Sequence, residues 1–161
     1  MRKIELGQSL HLIGNIAVVV GILLLVYELS LNRQMMRAQT RTTVSEGLTT
    51  FLTTIGSDEQ AASVYIRGNA GATGNLGDEL SVAEAGQYGL LVQAAFSYFE
   101  NVHYQYRNGL YDESEFDAQR KAWIGLFQRK GMAEIWCRTR NQRSPEFVAE
   151  IDSLLTTYKC E

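Results

Sequence analysis

The chain has 161 residues, 45% of them hydrophobic and 20% charged, with a formal net charge of −3, one proline and two cysteines. That composition excludes a disordered or fibrous chain and leaves room for one domain plus an anchor. Residues 1–41 hold five basic side chains (Arg2, Lys3, Arg33, Arg37, Arg41) against two acidic ones (Glu5, Glu28), leaving ten basic and sixteen acidic for the rest. An acidic body without a basic helix face argues against nucleic acid as a partner, because that affinity rests on neutralising phosphates.

Residues 1–32 read as a transmembrane anchor with a short flank. The run "LHLIGNIAVVVGILLLVYELSL" (10–31) has no charged side chain before Glu28. As a helix, 22 residues reach about 33 Å, enough for a hydrocarbon core of about 30 Å. No small-x-small cleavage site follows it, and it leads into "ELSLNRQMMR", which continues as helix, so the span is expected to be retained rather than removed as a signal. Around the helix, His11, Gly14, Asn15, Ala17, Gly21 and Glu28 share less than half the circumference, opposite Leu12, Ile16, Val19, Val20, Leu23, Val26 and Tyr27. Small residues let helix backbones approach and polar groups in hydrocarbon need partners, so this side is expected to face protein and the other lipid. The plainer account is that His11, Asn15 and Glu28 lie near the ends and reach water.

Residues 33–161 read as an all-α soluble domain. The anchor is expected to continue over 33–56, with Val44, Leu48, Phe51, Leu52 and Ile55 on one stripe and Gly56 as its stop. Seven threonines between 40 and 54 weaken that stretch intrinsically. A short helix follows to Gly68, then a Gly-rich loop over 69–81, which lacks the P-loop pattern and no strand precedes. Ser81 and Glu84 form a capping box opening a helix to Asn108, and Gly109 stops it. Asp112 with Glu115 opens the next helix; another follows Gly131; Ser144-Pro145-Glu146 starts a last one running through "EFVAEIDSLLTTY". The fold class is therefore a single N-terminal transmembrane helix continuing into a small helical bundle.

Glu100 and His103 form one Glu-x-x-His pair, a spacing used by di-iron bundles. Such sites need two pairs and further carboxylates, and the other histidine, His11, sits in the anchor, so Glu100 and His103 are weak metal candidates and no cofactor is expected. The simpler expectation is that His103 hydrogen-bonds in the core and that Glu100 pairs with Arg107 or Arg120. The aromatics from Phe96 to Trp136 are read as core, with an apolar ligand pocket as the alternative. Arg129, Lys130, Arg138, Arg140 and Arg143 make a basic cluster, read as a solvated face or a contact for an anionic partner. Cys137 and Cys160 lack the CxxC spacing of a zinc or redox site. Three basic residues after the anchor against two before it favour a cytoplasmic C-terminal domain, where both thiols would be reduced.

"NRQMMRAQT", "YIRGN", "FENVHYQYRNGLYDESEF", "KAWIGLFQRKGMAEIW" and "SPEFVAEIDSLL" resemble a widespread group of small bacterial proteins with one N-terminal membrane helix, a helical body and no assigned activity. The resemblance covers nearly the whole chain. In that group a Trp often stands at the position of Phe116 and a Pro at that of Lys130. It implies an architecture at the bacterial inner membrane and a shared motif of unassigned role at Glu100, Asn101, His103, Tyr104 and Arg107. The expectation is a non-enzymatic module that contacts the bilayer and either self-assembles or serves as an accessory subunit. The alternatives are a sensor for a small apolar ligand and, behind it, a metal-dependent enzyme.

Overall fold

The computed structural model describes residues 2–70 and 80–160 and is all-helical over them. The six α-helices are α1 (Arg2–Gly56), α2 (Glu59–Ala70), α3 (Val82–Arg107), α4 (Glu113–Phe127), α5 (Lys130–Thr139) and α6 (Pro145–Leu154). A single 3-10 turn, Arg140–Gln142, joins α5 to α6. Most of the expected Gly-rich loop, 71–79, lies outside the described residues. Two compact units divide the chain, Met1–Gln39 and Thr40–Glu161.

In the first unit, α1 carries one segment long and apolar enough to cross a membrane. Its large apolar side chains from Leu10 to Leu29 remain 49–66% exposed. That is a heavy load of apolar surface for water to cover. A Cβ added at Gly14 or Gly21 meets nothing within 4 Å.

The second unit holds the core. Helix α1 enters it through the buried Val44 and Ile55. Its threonines stay helical by turning hydroxyls back on their own helix, as Thr54 Oγ1 does by donating to the Thr50 carbonyl at 2.8 Å. Along α3, Tyr88, Val92, Ala95, Phe96, Phe99, Val102 and His103 are buried at helical spacing. They meet a continuous aromatic cluster from α4, α5 and α6. Phe96 stacks on Phe127 at 5.4 Å, Trp136 meets Phe96 edge-on at 5.3 Å, and Trp123 meets Phe116 edge-on at 5.6 Å. These offset and edge-on geometries suit the aromatic quadrupole. Where α2, α3 and α5 meet, there is no room for side chains. A Cβ on Gly68 would lie 2.3 Å from the Tyr88 ring, and one on Gly131 would lie 2.1 Å from the Gly68 carbonyl oxygen.

The helix ends follow their local chemistry, with two departures. Ser81 and Glu84 make the full capping box, and Gly109 turns the chain after α3 with φ of 68°. Asp112 caps α4 by accepting the Ser114 N–H at 2.9 Å, while Glu115, expected to complete that cap, pairs with Arg41 at 3.0 Å. The last helix stops at Leu154 instead of continuing to Tyr158, because Leu155 is extended (φ −75°, ψ 94°). Gln128 holds the segment beyond it, donating to Thr156 Oγ1 at 2.9 Å and accepting from Thr157 Oγ1 at 2.6 Å. That path ends in a disulfide between Cys137 and Cys160, whose Cα atoms stand 5.2 Å apart. The expectation of two reduced thiols is therefore corrected: no free cysteine is present.

Candidate functional site

The motif singled out in the sequence lies along one side of α3, where the N-terminus of α6 packs beside it. Ser97, Glu100, Asn101, His103, Tyr104 and Arg107 recur at intervals that place them along one strip of α3. With Ser144 and Glu146 from the start of α6 they line an open cleft of about 560 Å³.

Glu100 ties α3 to the start of α6. One carboxylate oxygen accepts the Ser144 backbone N–H at 2.8 Å and the other accepts from Arg143 Nη1 at 3.1 Å. Arg143 also donates to Ser97 Oγ at 2.9 Å and to the Gln93 carbonyl at 3.3 Å. Neither expected partner, Arg107 or Arg120, reaches Glu100: Arg107 pairs with Glu146 at 3.0 Å, and Arg120 with Glu150. A carboxylate against the first free N–H of a helix satisfies a donor that the helix itself cannot, and it suits the positive end of the dipole. Burial raises the Glu100 carboxyl, but the Ser144 and Arg143 hydrogen bonds outweigh it and hold the group below its ordinary value. Glu146 is also held low, by its own backbone N–H and by Arg107.

His103 is the most buried of the α3 residues that line the cleft. It is only 7% exposed and lies between the rings of Phe116 (6.0 Å) and Phe147 (5.7 Å). The expected hydrogen bond is absent: the imidazole has no hydrogen-bond partner among the described residues. Burial pushes its pKa down, against the pull of Glu150, Glu146 and Glu100, so the ring is neutral at physiological pH. Tyr104 is 58% exposed at the mouth. Asn101 is half-buried, and its side-chain oxygen accepts from Gln105 Nε2 at 3.4 Å.

The remaining candidate residues are scattered. No group of three or more His, Cys, Asp or Glu gathers closely enough to hold a metal among the described residues. The basic cluster is divided among acidic partners: Arg140 pairs with Asp152 at 2.6 Å, Arg143 with Glu100, and Lys130 with Glu134 at 3.8 Å. Arg129 and Arg138 are exposed. In the first unit, His11, Gly14, Asn15, Ala17 and Glu28 are exposed and Gly21 is half-exposed. A smaller cleft of about 290 Å³, lined by Arg41, Tyr98, Tyr111 and Glu115 among others, lies between α1, α3 and α4. Sequence reasoning missed Arg143 as the partner of Glu100. Its only local signal is its position one residue before the Ser-Pro helix start.

No family model matches the chain, and no match is found among curated proteins or solved structures.

Proposed function

We propose that the chain is a non-enzymatic, single-pass membrane module, akin to the small bacterial proteins it resembles, whose anchor assembles with other membrane helices, either copies of itself or the subunits of a larger complex. The observation that carries this reading is the exposed apolar surface of α1 between Leu10 and Leu29, large and aliphatic on the side of Leu12, Ile16, Val19, Leu23 and Val26, and interrupted on the other by Gly14, Asn15, Gly21 and Glu28 among Val18, Ile22 and Leu25. A lipid bilayer covers the first side, and close helix packing satisfies the second. The body adds support of another kind. Both cysteines are tied in a disulfide, and Glu100, Glu146 and Glu150 are each engaged by an arginine, so these groups are spent on holding the fold together.

The Cys137–Cys160 bond favours a body on the oxidising side of a bacterial cytoplasmic membrane. This outweighs the three-to-two count of flanking positive charges, because a difference of one residue sets orientation weakly.

The test is the mass and composition of the particle extracted from its native membrane in mild detergent. The expected result is a multiple of 18.1 kDa or a fixed ratio with other polypeptides. Gly21→Ile together with Glu28→Leu should reduce it to the single chain. A monomer in the unsubstituted protein, or an unchanged particle in the double variant, overturns the reading.

A further inference from the structure

The cleft beside α3 is more than a by-product of helix packing, because its bonding capacity is divided in a particular way. Its charged groups are already balanced within the fold, Glu100 by Arg143 and the Ser144 N–H, and Arg107 by Glu146. A charged guest would have to break one of these pairs. The unspent groups are neutral and of mixed character: the His103 imidazole and the Asn101 amide N–H group, neither with a partner among the described residues, and the Tyr104 phenol. A neutral imidazole offers one donor and one acceptor, and an amide N–H group offers donors. His103 is more than nine-tenths buried yet lines the cleft, so its polar atoms are costly to leave unmatched. An apolar ligand would leave them so. Beside them the Tyr104 ring is exposed and offers a flat apolar surface.

We propose that this cleft binds a neutral carbohydrate, with hydroxyl groups meeting His103 and Asn101 and the apolar C–H face of a sugar ring lying on Tyr104. Each hydroxyl is both donor and acceptor, which matches an imidazole beside an amide better than a carboxylate, phosphate or ammonium does. The volume of about 560 Å³ is within the usual range for small-molecule sites and accommodates one or two sugar rings. The inference is independent of the assembly through α1, since every residue it uses is in the second unit.

The experiment uses the full chain in detergent micelles and follows the imidazole Cε1–H signals of its two histidines while N-acetylglucosamine is added. The expected result is a saturable shift of the His103 signal in the millimolar range with His11 unmoved. Tyr104→Ala, at an exposed position that leaves the core intact, should weaken that response about tenfold, equivalent to about 1.4 kcal/mol. No saturable shift of His103, a response unchanged in Tyr104→Ala, or an equal response to cyclohexanol overturns the proposal.

Discussion

Glu100 on α3 caps α6: its carboxylate accepts the Ser144 N–H at 2.8 Å, while the Ser144 side chain makes no cap of its own. One carboxylate thus fixes a helix that begins 45 residues later, and it also neutralises Arg143, whose side chain is 11% exposed. Replacing Glu100 by Ala removes both contacts and strands a largely buried guanidinium. The expected loss is about 2–3 kcal/mol, below the full value for a buried pair because Glu100 is a quarter exposed. Glu100→Gln keeps an acceptor for Ser144 and should lose about 1 kcal/mol. Thermal melting of the full chain in detergent measures both.

The same carboxylate sets an acid limit. A carboxyl held below its ordinary value stabilises the fold fully above about pH 4.5, and that contribution is lost as the pH falls through the folded value. Glu84 acts in the same sense, held down to about 2 first by its hydrogen bond from Arg67 and then by Ser81. Stability should therefore decline from pH 4.5 toward pH 2. Glu100→Gln should flatten part of that decline, and an equally steep decline in the variant would remove Glu100 from the account.

Gly68 and Gly131 occupy the closest approach between helices. A methyl group at Gly131 would sit 2.1 Å from a backbone oxygen, which cannot move aside as a flexible side chain would. Gly131→Ala is expected to cost about 3 kcal/mol, the upper end for overpacking. Gly68→Ala, which meets the fully buried Tyr88 ring, should cost a similar amount. Gly125→Ala, with open space around its Cβ, is the control and should be neutral or slightly stabilising because alanine favours helix. Equal melting temperatures for Gly131→Ala and Gly125→Ala would contradict the packing described.

Much of this architecture is legible locally. The Ser81–Glu84 box, the Gly109 stop and the Ser144-Pro145 start each act within four residues, and they mark both ends of α3 and the start of α6. What is not legible depends on partners far along the chain. Glu100 meets Arg143 across 43 residues, past the nearer Arg107 that helical spacing favours. The early end of α6 depends on Gln128 and Cys137, neither of which is in that helix. His103 was expected to spend its hydrogen bonds in the core, but the neighbours on its buried side, Phe116 and Phe147, have none to give.

His103 gives a second pH effect, at a higher range. Burial lowers its pKa from the ordinary 6.5, and Glu150, Arg107, Glu146 and Glu100 are the charged groups that act on it. The unfolded chain therefore takes up this proton first, and stability falls as the pH drops below 6.5 until the folded value is reached. His103→Leu should remove this dependence while leaving the lower carboxylate decline in place. A melting temperature that falls equally between pH 7 and pH 5 in both proteins would show that another group carries it.

The Cys137–Cys160 bond closes a segment of 23 residues that includes the whole of α6. Restricting an unfolded loop of that length is worth about 3 kcal/mol. Reduction, Cys137→Ser and Cys160→Ser should each lower stability by about that amount, and the double substitution should cost little more than either single one, because one bond is lost in each case. If α1 spans a membrane as proposed, the same pair reports the side on which the body lies. In intact cells, a membrane-impermeant maleimide is expected to label the chain only after reduction from outside. Labelling of denatured protein without prior reduction would mean free thiols, and the body would then belong on the reducing side, as the flanking charges alone suggest.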